Sequence, residues 1–517
     1  MAQALAIVVS SSKGSSLDPH RPQKAASPMQ AVSYAIVVFL AASCARADPP
    51  SLRGVDQIVV FDAGSSGTRV HVFSIDGGSS GSGVPGIDLA KRQTLKEKPG
   101  LSHYARNEDF GGAQKCIEKL IAFANQYVAR RADTPVLLKA TAGLRAVGQE
   151  LADKVLQRVR ETLCASGYKF SYDWANIIRG KEEGGLAWVA ANYLRGAFRE
   201  GGSTSPVGVV ELGGGSTQVT FLVEDKVDLA DDDSFVFTTL RGKQYKLYAH
   251  SYLGYGQDYT RKNYSQAMKG QAAADSTQKD PCMPEGGSLV EDGVTVPGKG
   301  DFQKCRSYIE DFIKWHSPHA PGTYQYEVAP QGNFIAIENF FYSRNGFENT
   351  QAENLKLEPA TMEELATRAC AKSYTSPLDE NDEKRCFALT YQGLLLKYLG
   401  MVNLDVRIAH EIEGSEVDWA LGAALVSYME NKQGHGMRAP CPGFAVTAPV
   451  SGMAKMSILF LGFLTVGSLI AWKGPFRRAS SNTAEEVAEL VSKSSPNLNK
   501  RSRDVAYGKV SASEDDV

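Results

Sequence analysis

One unit occurs twice in this chain: an apolar run, an acid, a turn of glycine and hydroxyl residues, a threonine and a second apolar run. Residues 58–73 read IVVFDAGSSGTRVHVF, and residues 207–221 read VGVVELGGGSTQVTF. Aligning DAGSSGT with ELGGGST sets Asp62 over Glu211, Gly64 over Gly213 and Thr68 over Thr217. A continuous apolar run predicts a strand buried on both faces, and two such runs around a short Gly/Ser turn predict a hairpin. Glycine lets the backbone approach a ligand closely, and turn amides and hydroxyls suit phosphate oxygens. The candidate phosphate loops are Gly64, Ser65, Ser66, Gly67 and Thr68, and Gly213, Gly214, Gly215 and Ser216. The strand-end acids Asp62 and Glu211 suit a hard divalent cation held through water. Alone, the first copy is equally an ordinary hairpin with a turn-stabilising Asp. A repeat of the whole loop argues for two similar lobes clasping one ligand.

A chain of 517 residues has room for two such lobes plus appendages. Its 56 basic and 58 acidic residues nearly cancel, which excludes a global bias towards nucleic acid or anionic membrane. Residues 31–45 form a short apolar run with a basic flank and an Ala45-Arg46-Ala47 exit, the pattern of a secretory signal. A retained signal anchor within residues 1–47 is the other reading. Residues 456–472 are uncharged and bounded by Lys455 and Lys473, which predicts a short transmembrane helix. Lys473, Arg477 and Arg478 place the tail, residues 473–517, on the cytosolic side, and its composition reads as disordered. The body is then lumenal or extracellular, in the endoplasmic reticulum, Golgi or plasma membrane. Asn263-Tyr264-Ser265 is a glycosylation sequon usable there. Six widely spaced cysteines fit disulfides better than zinc. Pairing neighbours gives Cys116–Cys164, Cys282–Cys305 and Cys370–Cys386, one of 15 possible arrangements, with Cys441 unpaired in a linker.

Between the hairpins, a helical pattern spans 113–129 and a buried strand spans 136–138. Thr141 is placed to cap a helix running through Leu163. Over 177–198, Leu186, Val189, Ala190, Tyr193 and Leu194 fall on one face of a helix. Glu182 and Glu183 then sit in its first turn, where the helix dipole favours a carboxylate. This is equally a routine acidic first turn or a base kept ionised at neutral pH.

These segments, in order, resemble the apyrases, the nucleoside triphosphate diphosphohydrolase family. The resemblance rests on DAGSSGT, ATAGLR at 140–145, GKEEGGLAWVAANYL at 180–194, ELGGGST and SYLGYGQD at 251–258. It covers roughly residues 57–429. It implies an α/β fold of two ribonuclease-H-like (actin-like ATPase) lobes with a nucleotide cleft between them. Lobe I would span 52–205 with a returning helix near 415–430, lobe II 206–414, and a linker 431–455. The implied reaction is hydrolysis of nucleoside tri- and/or diphosphates to shorter nucleotides and phosphate. Glu183 would be the base, with Ser216 and Gln218 positioning the water. Thr141 and Arg145 would join the phosphate site, and Asp62 and Glu211 would hold Ca2+ or Mg2+ through water. Tyr342 would stack on the nucleobase, while Trp188 and Trp419 pack. One departure stands out: the family has Asp where this chain has Glu211. An exopolyphosphatase-type enzyme, or a nucleotide-binding receptor or lectin-like protein with little turnover, remain the alternatives at this stage.

Overall fold

The computed structural model describes residues 57–76, 83–199, 201, 203–291, 293–315, 328–374, 380–432 and Cys441. The apolar segments at 31–45 and 456–472 and the tail lie outside these residues. No helix among the described residues is long and apolar enough to cross a membrane.

The repeat legible in one loop extends to a whole sheet. Strands β1 (Gln57–Ala63), β2 (Thr68–Asp76), β3 (Gly86–Glu97), β4 (Val136–Ala140) and β5 (Ala175–Ile177) form a sheet ordered β3-β2-β1-β4-β5. The pairs β3·β2 and β2·β1 are antiparallel, and β1·β4 and β4·β5 are parallel. The second sheet uses β6 (Gly208–Leu212), β7 (Ser216–Leu222), β8 (Ser234–Thr238) and β9 (Gln244–Leu253). After a small hairpin, β10 (Ser288–Glu291) and β11 (Val294–Pro297), it is completed by β12 (Phe334–Glu338) and β13 (Val406–Ile408). Its order is β13-β12-β6-β7-β9-β8. Without the edge strand β8, the two sheets share one order and one set of directions. Register matches as well: Asp62 faces Arg69 as Glu211 faces Gln218, and Ala63 faces Thr68 as Leu212 faces Thr217.

Helices α1 (Phe110–Ala124) and α2 (Gln149–Cys164) cover the outer face of the first sheet. Helix α3 (Gly180–Leu194) follows the first sheet in sequence but packs on β6, β7, β8 and β9 of the second. After α4 (Gln257–Ala274), helices α5 (Phe302–Trp315), α6 (Pro359–Ala371) and α7 (Glu380–Tyr398) build the outer core of the second sheet. The closing helix α8 (Trp419–Lys432) returns to β1 and β2 and lies along α3. Two sheets therefore sandwich a central helix pair, each helix contributed by the other half's chain.

Strand alternation fixes where the acids point. Val59 and Phe61 face the outer core of the first sheet, and Ile58 and Val60 face the central layer. In β6, Val210 and Leu212 face outward and Val209 faces the centre. Asp62 and Glu211, two residues past Val60 and Val209, thus end on the inner faces, opposed across the centre. Ile58, Val59, Val60 and Phe61 are fully buried. At about 1.5–3 kcal/mol each, they offset the several kcal/mol that a buried carboxylate costs.

The sequence expectations needed three corrections. The helix expected over 113–129 begins earlier and ends at Ala124, because Asp109 caps it by accepting from Gly112 N at 2.8 Å. The helix expected to run from Thr141 through Leu163 is two helices, Ala142–Arg145 and α2, interrupted at Gly148 with φ +89°. Thr141 occupies the cap position of the short one without a side-chain bond. Cys282–Cys305 and Cys370–Cys386 are bonded, but Cys164 pairs with Cys441, and Cys116 is free and buried. Cys116 points into the core beneath α1, whereas Cys164 ends α2 where the chain beyond α8 comes back. Asn263, the sequon residue, sits half-buried within α4.

The central helices cross at Gly422, where a methyl group would lie 2.7 Å from the carbonyl carbon of Leu186 and overlap its oxygen. Overpacking of this kind typically costs about 1–3 kcal/mol. Gly422→Ala is expected to lower the urea unfolding midpoint accordingly at unchanged slope, while Gly270→Ala, in open space on α4, leaves it unchanged or raises it.

Candidate active site

Each hairpin is braced from behind by a glycine that caps a helix. A methyl group on Gly100 would lie 2.5 Å from Gly64 O and 2.8 Å from Ser65 O. One on Gly256 would overlap the backbone of Gly214, Gly215 and Ser216. Both glycines have extended φ and occupy the cap positions of the helices Leu101–Arg106 and α4. The start of α4 uses its free amides on the hairpin: Gln257 N donates to Gly213 O (2.9 Å) and Tyr259 N to Gly214 O (3.0 Å). The hairpin tips meet closely, since a methyl on Gly214 would lie 2.7 Å from Ser65 Oγ.

Between the tips is a polar cavity of about 80 Å³. Its wall brings together most of the residues singled out from the sequence: Asp62, Gly64, Ser65, Ser66, Gly67, Thr141, Glu183, Glu211, Gly213, Gly214, Gly215 and Ser216. Thr68 is buried outside this wall. Arg145 and Gln218 stand directly behind Glu183 and Ser216. Tyr342 is not on the wall; it is 45% exposed on the short helix Asn339–Arg344, edge-on to His410.

Sequence reasoning missed Arg69, Lys96 and Glu338, and took Trp419, which also lines the cavity, for packing alone. Arg69 and Lys96 belong to one cross-strand row, Asp62–Arg69–Lys96, that exists only once β1, β2 and β3 are paired. Glu338 had a signal: FIAIE at 334–338 is another apolar run ending on an acid.

Helix α3 delivers Glu183 because its glycines allow it to lie almost on the sheet. A methyl on Gly184 would lie 2.5 Å from Thr220 Oγ1, one on Gly185 2.5 Å from the Phe235 ring, and one on Gly180 would overlap Ser251. Glu183 Oε2 accepts from Arg145 Nη2 (2.7 Å) and from Gln218 Nε2 (3.1 Å). Gln218 Nε2 also lies 2.6 Å from Ser216 Oγ and 3.2 Å from Ser251 Oγ, and Arg145 Nη2 donates to Ser216 Oγ at 3.2 Å. An ionised carboxylate can only accept, so the nitrogen of Gln218 faces Glu183. That leaves Gln218 Oε1 a buried acceptor with no partner.

Burial raises Glu183 above the ordinary glutamate range, and Arg145 opposes the shift. The charge is thus supported by an arginine rather than, as the sequence suggested, by the helix dipole. Glu182 serves the helix instead, accepting from Arg179 N at 2.7 Å. Burial pushes Asp62 up to about 8 against the pull of Arg69, with Asp418, Glu183 and Glu338 adding to the rise. Glu211 is held well above the ordinary range by burial, then by Glu183, Glu338, Asp62 and Asp418.

Such a cluster fits a divalent cation. Asp62 Oδ1 and Glu211 Oε2 are buried without a hydrogen-bond partner, and the acids around them are mutually repelling. The cavity wall carries carboxylates and hydroxyls but, among the described residues, no His, Cys or Met, so the ligands on offer suit Ca2+ or Mg2+ over softer metals.

A family model described as GDA1/CD39 (nucleoside phosphatase) matches residues 54–437. "Probable apyrase 4" of Arabidopsis thaliana is 32% identical over 411 residues, covering 71% of this chain and 78% of that protein. Mouse "Ectonucleoside triphosphate diphosphohydrolase 6" is 33% identical over 381 residues, covering 71% and 80%. Among solved structures, a nucleoside triphosphate hydrolase from Neospora caninum superposes with a TM-score of 0.56 over 79% of this chain and 98% of that one. At 16% identity that likeness speaks for the fold alone. With two matching lobes, opposed glycine hairpins and this coverage, the chain belongs to the GDA1/CD39 nucleoside phosphatase family.

Proposed function

We propose that this enzyme, a nucleoside tri- and/or diphosphate hydrolase, works by in-line attack of a water held by Glu183, Ser216 and Gln218. The observation that carries this reading is the set of bonds centred on Glu183 Oε2 and Gln218 Nε2. Gln218 Oε1 and Ser216 Oγ can orient the water, and Glu183 accepts its proton as the oxygen attacks the terminal phosphorus. The bond to the bridging oxygen breaks, and the shorter nucleotide leaves with that electron pair. Glu183 then gives up its proton to solvent or product. The hairpin amides, the hydroxyls of Ser65, Ser66 and Ser216, and Thr141 and Arg145 cradle the phosphate chain, while Thr68, expected there from the sequence, is buried away from it. A divalent ion bound near Asp62 and Glu211 would neutralise charge on the phosphate oxygens. The cavity has room for a few waters or a phosphate group between the hairpin tips.

Tyr342 is the proposed base platform: half-exposed beside the strand end that carries Glu338, it offers a face for stacking with tolerance of several bases. The expected setting is the secretory pathway or cell surface, with one or both terminal apolar segments as signal or anchor. The lobe limits of the sequence analysis are retained as proposals.

Two predictions follow from Glu183. Glu183→Gln should lower kcat for phosphate release from ATP, ADP, UDP or GDP by about 10²–10⁴-fold while nucleotide still binds. Phosphate assays with Ca2+, Mg2+ and chelator, beside nucleotide binding by calorimetry, check both halves; wild type that binds nucleotide but releases no phosphate defeats the hydrolytic reading. The pH profile supplies a second check. Glu183 acts ionised, so activity falls as pH drops through its raised pKa. Arg145 lowers that pKa. Arg145→Met should therefore move the acid limb of the residual activity to higher pH, and an unmoved limb would assign the limb to another group.

A further inference from the structure

We infer that Lys96 is a phosphate-binding residue of the cleft, its ammonium holding the penultimate phosphate, the one that leaves with the nucleotide. This rests on the hydrolytic reading above and gives a use to a cation that neither the repeat nor the motifs single out.

Contact with the first hairpin is the first ground. Lys96 stands opposite Arg69 across β3 and β2, as Arg69 stands opposite Asp62 across β2 and β1, and all three reach the cavity wall. A methyl group on Gly67 would lie 2.7 Å from Lys96 Cε and 2.8 Å from Glu97 O. The bare backbone at Gly67 thus lets the lysine stem lie across the hairpin. Its Nζ then donates to Ser66 Oγ at 3.4 Å. A lysine on a strand ordinarily extends its ammonium into water, and this one is laid against a candidate phosphate loop.

Charge is the second ground. The wall carries four carboxylates, Asp62, Glu183, Glu211 and Glu338, against two basic residues, Arg69 and Lys96. Arg69 is paired with Glu416 at 3.2 Å, and Arg145, behind the wall, with Glu183 at 2.7 Å. Among the described residues no ion pair engages Lys96, whose ammonium bonds only a neutral hydroxyl. A phosphate oxygen is the stronger partner for such a group.

Depth is the third. The residues that would hold the water are at the closed end: Glu183 is 6% exposed, Ser216 2% and Gln218 1%. Ser66 and Lys96 are exposed and so mark the open end. A phosphate chain entering there sets its terminal phosphorus against the water group and the next phosphate beside Ser66 and Lys96. As the bond to the bridging oxygen breaks, its electron pair moves onto that second phosphate, where the ammonium neutralises the new charge.

The test compares wild type, Lys96→Gln and Lys96→Arg as purified full-length protein. Phosphate release from ADP is followed, with competitive inhibition by AMP, which stands for the leaving group, and by inorganic phosphate, which stands for the terminal one. Lys96→Gln is expected to lower kcat/KM by about 10- to 100-fold, the range of a lost charge-assisted bond. AMP inhibition should weaken with it, and inhibition by inorganic phosphate should stay as in wild type. Lys96→Arg keeps the cation and should recover most of both losses. Lys91→Gln, on the same strand but off the wall and paired with Asp88 at 2.8 Å, controls for the loss of one positive charge and should change neither. Lys96→Gln with wild-type kcat/KM and AMP inhibition overturns the assignment. So does a loss that Lys96→Arg shares in full, or one that falls on inorganic phosphate and spares AMP. Wild type that binds AMP but releases no phosphate defeats the hydrolytic reading instead, and AMP binding by calorimetry, wild type against Lys96→Gln, still decides on Lys96.

Discussion

The structure depends on setting two carboxylates face to face inside a protein. Asp62 and Glu211 each end a strand whose apolar residues are almost wholly buried, on the side turned to the opposite sheet. Burial raises both acids, and Glu183, Glu338 and Asp418 add to the rise of each. Like charges in this position repel unless a cation lies between them, so the arrangement is intelligible as a cation-binding layer and hard to account for as packing. The central helix pair and the flanking sheets hold that layer shut.

Closeness is achieved with glycine at a few places where a side chain would not fit. Gly100 and Gly256 brace the hairpins, Gly180, Gly184 and Gly185 set α3 on the second sheet, and Gly422 sets α8 on α3. Their effect on chemistry is indirect but definite. Were α3 held off the sheet by the width of a methyl group, Glu183 would lose the 3.1 Å contact with Gln218. Apolar signatures around catalytic groups can thus be requirements of approach, not of reactivity.

What the sequence made legible was local: the two hairpins, the acids that end their first strands, and the helix turn carrying Glu183. Each reads from consecutive residues, because strand, turn and helix start are short-range events. Arg69 and Lys96 were not legible, since their neighbourhood with Asp62 arises from pairing three strands. The Cys164–Cys441 bond joins the end of α2 to the chain beyond the last helix, a separation of 277 residues that no spacing rule anticipates. Gly148 was passed over inside an otherwise helical pattern, and its positive φ breaks the helix there. Glu183 was placed correctly in its helix, yet the source of its support was not, because Arg145 arrives from a different segment.

Duplication also explains a division of labour. The two hairpins share a register, so whatever stands opposite the acid is a matched pair of positions: Arg69 in the first lobe, Gln218 in the second. Arg69 offers only donors and ties Asp62 into a charged row with Glu416 and Lys96. Gln218 offers a donor, spent on Glu183 and two serine hydroxyls, and an acceptor left open. A water needs both kinds of partner to be oriented, whereas a phosphate oxygen needs only donors. Under the proposed mechanism Arg69 is therefore suited to the phosphate chain and Gln218 to the water, and the nucleophile would approach from the side of Gln218, with the leaving nucleotide directed away from it.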